Sequence, residues 1–239
     1  WLGFYQNGNS VGMVVNDLSP LAGMTKMKRL DLNIGFEVTD LDALAGMTQL
    51  ESLRLWGNSN NSNASGIMDI GGLAGMTKLT SLNVNVGDVK DFSPLAGLTS
   101  LIDLNMYGEY VLEDLSFLRN LTQLQNLHMS GNYSEGAPVI KDLSDLSGLT
   151  KLTSLQLNVP IASLDGLENL TKLREMRLNG SNSTYTDVDT LTNLTELVTL
   201  NLPYRQYNYD EPLPPVVISG LKKLTLLQEL RVYTPDSLS

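Results

Sequence analysis

The sequence predicts an α/β solenoid, a horseshoe or arc with a parallel β-sheet on its concave face and short helical or 3₁₀ turns on its convex face. Three observations predict it. An apolar anchor followed by threonine recurs nine times in 239 residues, at Met24, Met47, Met76, Leu98, Leu121, Leu149, Leu170, Leu194 and Leu224. Successive anchors stand 23, 29, 22, 23, 28, 21, 24 and 30 residues apart, so a unit of about 22 residues carries three insertions. After each anchor, two apolar residues alternate with polar ones. A unit of this kind cannot bury its apolar side alone and must stack on its neighbours.

The elements follow in chain order. Leu2-Gly3-Phe4-Tyr5-Gln6-Asn7 reads as the strand and exit of a partial coil, so residues 1–16 form a partial preceding repeat and loop. Residues 17–239 then form nine repeats of a single solenoid domain. In seven of the nine an Asp precedes the first apolar position (Asp17, Asp40, Asp69, Asp91, Asp114, Asp142, Asp187), and Ser19-Pro20 and Ser93-Pro94 follow two of them. Ser as N-cap with Pro in the first helical position opens a short turn. Gly23, Gly46, Gly75, Gly97 and Gly148, with Asn120, Asn169 and Asn193 in the same slot, are expected to close it in a left-handed conformation. The threonine after each anchor is expected to satisfy backbone groups there.

The strands come next. The pairs Leu30/Leu32, Leu53/Leu55, Leu82/Val84, Leu104/Met106, Leu127/Met129, Leu155/Leu157, Met176/Leu178, Leu200/Leu202 and Leu230/Val232 alternate with polar residues at period two, the mark of a half-buried strand. The insertions follow strands 2, 5 and 8 of this series, so long loops leave one edge every third coil. The chain starts at Trp1 and ends in Thr234-Pro235-Asp236-Ser237-Leu238-Ser239 without an amphipathic capping helix, and is expected to be part of a longer protein.

Composition narrows the function. Hydrophobic residues make up 42 % of the chain, enough for a sizeable core. Cysteine is absent, which excludes disulfides, thiol nucleophiles and Cys-ligated metals, and no cofactor is expected. Twenty-six acidic against sixteen basic side chains give a net charge of −10, which repels nucleic acid. No run of 18 apolar residues exists, so no membrane insertion is expected from this segment.

The runs Asp91-Phe92-Ser93-Pro94-Leu95-Ala96-Gly97-Leu98-Thr99-Ser100-Leu101 and Leu167-Glu168-Asn169-Leu170-Thr171-Lys172-Leu173 resemble the internalin-type leucine-rich repeats of Gram-positive surface proteins, and the similarity covers essentially the whole chain. The resemblance implies a secreted or wall-attached, non-catalytic protein whose concave sheet grips a protein of a host or neighbouring cell. It departs in one respect. The asparagine that regularly follows the strand in that family is matched only by Asn58 and Asn132.

Alternation places one residue before, one between and one after each apolar pair on the exposed sheet face. The partner-binding candidates there are Arg54, Trp56, Asp103, Asn105, Tyr107, His128, Gln156, Glu175, Arg177, Arg231 and Tyr233. Trp56, Tyr107, Arg177 and Tyr233 lead them, because Trp, Tyr and Arg dominate interface hot spots. The insertion loops add Tyr133, Tyr204, Tyr207 and Tyr209, tyrosines among small polar neighbours as in antibody paratopes. A catalytic reading would need the one histidine, His128, to work with Asp103 and Ser130 or Ser154. No Gly-x-Ser-x-Gly elbow or oxyanion hole accompanies them. The expected function is therefore protein binding in adhesion or recognition, with a structural spacer or a glycan-binding module as the alternatives.

Overall fold

The computed structural model describes residues 3–6, 9–12, 14–57, 66–131, 138–180, 183–203 and 216–232. Ten strands form one parallel sheet in chain order: β3 (Val14–Val15), β4 (Arg29–Ile34), β5 (Ser52–Gly57), β6 (Ser81–Val86), β7 (Asp103–Gly108), β8 (Asn126–Ser130), β9 (Ser154–Asn158), β10 (Glu175–Leu178), β11 (Thr199–Leu202) and β12 (Glu229–Val232). All nine apolar pairs lie in β4 to β12. The strand expected near the start does form, as β1 (Gly3–Gln6), but it pairs antiparallel with β2 (Asn9–Gly12) instead of joining the solenoid. The tenth parallel strand is β3, whose Val14 and Val15 face Asn33 and Ile34 of β4. The alternation Phe4-Tyr5-Gln6 signals a strand but carries no information about its partner.

Stacking is held by a repeated backbone contact. The carbonyl of the residue near each strand entry accepts two consecutive N–H groups from the next coil. Lys28 O accepts from Glu51 and Ser52 at 2.8 and 3.1 Å, and Thr153 O from Arg174 and Glu175 at 2.9 and 3.1 Å. Glu51, Thr80, Ile102, Gln125, Arg174 and Val198 do the same. Thr80 and Thr153 add their hydroxyls, which donate to Glu51 O and Gln125 O. The nine threonines that follow the anchors are exposed.

Among the described residues, eight short 3₁₀ turns, Ser93–Gly97 and Ser116–Leu118 among them, form the other side of the coils. Each of the seven recurring Asp side chains accepts the backbone N–H two residues on, at 2.7 to 3.3 Å. The aspartate thus caps the turn from outside, and Ser19 and Ser93 lie within the turn rather than at its cap. In the coil between β9 and β10, Ser163 Oγ takes the Asp role toward Asp165 N–H. That coil has no 3₁₀ turn and bends at Gly166, φ +103°. Gly23, Gly46, Gly75, Gly97 and Gly148 do not adopt positive φ, contrary to expectation. Apart from Gly23, which meets nothing, a Cβ at these positions would touch the previous coil only at ordinary contact distance, which is why Asn fits the same slot.

The interior is one continuous core of leucine, methionine, valine and isoleucine with Phe92, Tyr110, Phe117 and Tyr185 among them, and the apolar pairs from Leu53 to Leu202 and the anchors from Met47 to Leu194 are wholly or almost wholly buried. Burial weakens toward the first and last coils. Met24 and Leu230 are each 45 % exposed. The insertions rejoin the stack through isolated parallel bridges, Ile67 to Val86, Ile140 to Ile161 and Val217 to Asp187.

Two predictions follow from the turns. Gly166→Ala should destabilise the protein by about 2 kcal/mol, because it combines left-handed strain with a Cβ 2.5 Å from Leu143 O. Gly148→Ala, where the nearest atom is 3.8 Å away, should leave the urea midpoint nearly unchanged; equal effects would refute the assignment. The Ser116 hydroxyl, then its amide, hold the Asp114 carboxyl below the usual carboxylate range. Its stabilisation is complete above the unfolded-state pKa and lost as pH falls through the lower folded one. Asp114→Ala should cost about 1 kcal/mol at neutral pH. In urea titrations at a series of pH values, that difference should shrink in acid.

Candidate partner-binding face

Parallel pairing in strict register arranges the sheet-face side chains in three rows across the strands. The central row contains Asp31, Arg54, Asn83, Asn105, His128, Gln156, Arg177, Asn201 and Arg231. A flanking row holds Asp103 and Glu175, and the row on the other side holds Trp56 and Tyr107. The expected candidates from Arg54 to Arg231 therefore share one face. Tyr133, Tyr204, Tyr207, Tyr209 and Tyr233 lie outside the described residues, as do Asn58 and Asn132.

Local contacts divide this face into clusters. On β5 the Arg54 guanidinium lies 5.5 Å from the Trp56 ring centre and 3.6 Å from the Asp31 carboxylate. Trp56 remains 43 % exposed, a large aromatic surface facing solvent. Two strands on, Tyr107 and His128 meet edge to face with ring centres 4.7 Å apart, and the Tyr107 hydroxyl is 3.2 Å from His128 Nδ1. Half-burial disfavours the imidazolium and pulls the His128 pKa below that of a free histidine. Further along, Asn179 donates to Asn158, which donates to Ser130, a hydrogen-bonded line over three coils. Glu175 pairs with Arg177 on β10, and Arg231 Nε lies 2.9 Å from Glu229 on β12.

The groups a catalytic triad would require are committed elsewhere. Asp103 accepts from the Asn126 amide at 2.5 Å, Ser130 accepts from Asn158, and Ser154 donates to Glu175. His128 faces Tyr107. Alternation also overstates the exposure of two residues. Asn201 is only 5 % exposed, placed by register between Arg177 and Arg231, and Pro203 is buried. The Asn201 and Asn83 side-chain oxygens are buried without a hydrogen-bond partner. Asp31 was not among the leading candidates, although its opposite charge one strand from Arg54 was the available signal.

The sequence matches no protein-family model and no curated protein. Solved structures do resemble it. An internalin, InlF from Listeria monocytogenes str. 4b F2365, matches with a TM-score of 0.70 and 29 % identity over 90 % of this chain. The chain is an internalin-like leucine-rich-repeat protein. It spans 57 % of the InlF chain. Internalin C2 of the same strain matches at 24 % identity over 67 % of this chain and 74 % of its own, with a TM-score of 0.46. The plant peptide hormone receptor RGFR1, solved in complex with RGF2, shares 17 % identity over 92 % of this chain and 42 % of its own, with a TM-score of 0.54, a likeness of fold. Among the described residues of the internalin-like chain, no helix is long and apolar enough to cross a membrane.

The His128 environment gives a measurable sign. With its folded pKa depressed, the stability that neutral His128 contributes is complete above the unfolded-state pKa and declines as pH falls toward the folded value. An NMR titration of the imidazole ring should give a midpoint below that of a free histidine peptide, and Tyr107→Ala should bring it closer to the free value by admitting water. A midpoint at or above the peptide value would contradict the geometry.

Proposed function

We propose that this chain is a non-catalytic protein-binding module of an extracellular or cell-surface protein of a Gram-positive bacterium, serving recognition or adhesion. The observation that supports it best is the exposed Trp56 with Arg54 over its ring, on a face whose rows are set by backbone pairing. A spacer has no use for a large aromatic side chain facing water. An interface does, because Trp, Tyr and Arg side chains dominate binding energy when a partner desolvates them. Tyr107, held by His128, presents a second anchor two strands away with part of its rotamer entropy already lost. Asn105, Gln156, Arg177 and Arg231 supply polar contacts between and beyond these anchors, and Asp103 and Glu175 flank them. Tyr233 and the loop residues Tyr133, Tyr204, Tyr207 and Tyr209, which lie outside the described residues, are tyrosines of the kind that dominates such interfaces. The partner is another protein, displayed by a host or a neighbouring cell.

The test is affinity capture from host-cell and bacterial-surface extracts, followed by titration of the captured protein against wild type and against Trp56→Ala/Tyr107→Ala. The double variant should bind at least about tenfold more weakly, given about 2 kcal/mol for a hot-spot side chain. Its circular dichroism should not change. Equal affinity of wild type and variant would remove the sheet face from the reading.

A further inference from the structure

His128 stands near the middle of the sheet face and is the chain's one histidine. Cysteine is absent, so it is the one side chain whose ordinary titration falls between pH 5 and 8. Register sets it between Asn105 of β7 and Gln156 of β9, and all three are partly buried. Its surroundings carry little charge. On β7, Asp103 lies in the flanking row, where it accepts from the Asn126 amide, and Tyr107 meets the imidazole edge to face. The face residues of β9 (Ser154, Gln156, Asn158) and the remaining ones of β8 (Asn126, Ser130) are uncharged, as are those of β6. The next charged side chains along the face, Glu175 and Arg177 of β10, pair with each other.

Among the described residues, Asp103 is thus the single acid beside the imidazole, and it is already engaged. A charged imidazole here relies on water for its solvation. Tyr107 and His128 cannot be covered separately. Their ring centres are 4.7 Å apart and the tyrosine hydroxyl is 3.2 Å from Nδ1, so a partner seated on Tyr107 also takes water from the imidazole. Loss of water disfavours the charged form, in the same direction as the burial that already lowers the His128 pKa.

We propose that recognition at this face is gated by pH, the partner docking on the chain with His128 neutral and letting go as the imidazole gains a proton. This rests on the protein-binding reading of the face. Docking lowers the imidazole pKa further, so affinity is complete above the free-chain value, falls as pH falls through it, and levels off below the docked value. Each unit of that further lowering costs about tenfold in affinity at the acid end. The protein captured from the extracts, once purified, is titrated against the chain in steps from about pH 7.5 to about pH 5.5, with circular dichroism to confirm the fold at each step. Wild type should lose about tenfold across that range. His128→Gln, whatever its affinity at the start, should keep it throughout. Calorimetry in two buffers of different ionisation enthalpy should show wild type releasing a proton on docking in the acid half of the range, and the variant releasing none. The proposal is overturned if wild-type affinity is flat or rises in acid, or if His128→Gln falls in parallel with wild type. Those results leave the protein-binding reading intact as long as Trp56→Ala/Tyr107→Ala binds more weakly than wild type. Equal binding by that double variant, or capture of no protein at all, removes the reading and this proposal with it.

Discussion

The forked hydrogen bond at each strand entry is the contact on which the rest of the architecture depends. One carbonyl per coil, from Lys28 to Val198, receives two consecutive N–H groups of the next coil and so sets where the next strand begins. A slip of one residue would leave those donors unpaired and turn every side chain of the strand to the opposite face. The buried columns of leucine and the rows of the sheet face are two outcomes of the same constraint. This is also why the coils tolerate Met, Val or Leu in the core positions: alignment is a property of the backbone, and the side chains need only fill volume.

The repeat made most of the fold legible before any coordinates. Anchors at nearly constant spacing and pairs such as Leu104/Met106 can satisfy their apolar surface only by stacking, so the sheet and its order follow from periodicity alone. What stayed hidden depended on groups that look alike in sequence. Thr25 and Thr80 are the same residue type, yet one faces solvent at a turn and the other supports a strand entry. A recurring Asp can coordinate, pair or cap, and only the position of the amide two residues on identifies the cap. The strand at Gly3–Gln6 was visible as a strand, but its antiparallel partner lay in a stretch, Asn9–Gly12, with no apolar alternation to announce it.

The sheet face was legible to a different degree. Period-two alternation assigned Arg54, Trp56, Tyr107 and His128 to one side because it asks only which way a side chain points. The rows themselves required register, and the pairings within them required distances. Asp103 and His128 seemed close enough to cooperate, yet they occupy different rows, and Asn126 and Tyr107 claim them. Burial of Asn201 between two arginines escaped the sequence because alternation records direction and not the bulk of the neighbours.

The capping aspartates have a collective consequence. Asp17, Asp40, Asp69, Asp91, Asp114 and Asp142 open six successive coils, and coils whose strands lie about 4.8 Å apart place neighbouring carboxylates well inside a Debye length of about 8 Å. That margin of the solenoid is a short polyelectrolyte, built as a by-product of ending turns. It gathers a cloud of mobile cations along its length, and these relieve the mutual repulsion that stacking imposes. Dissolved salt therefore eases the stacking of the coils along this margin.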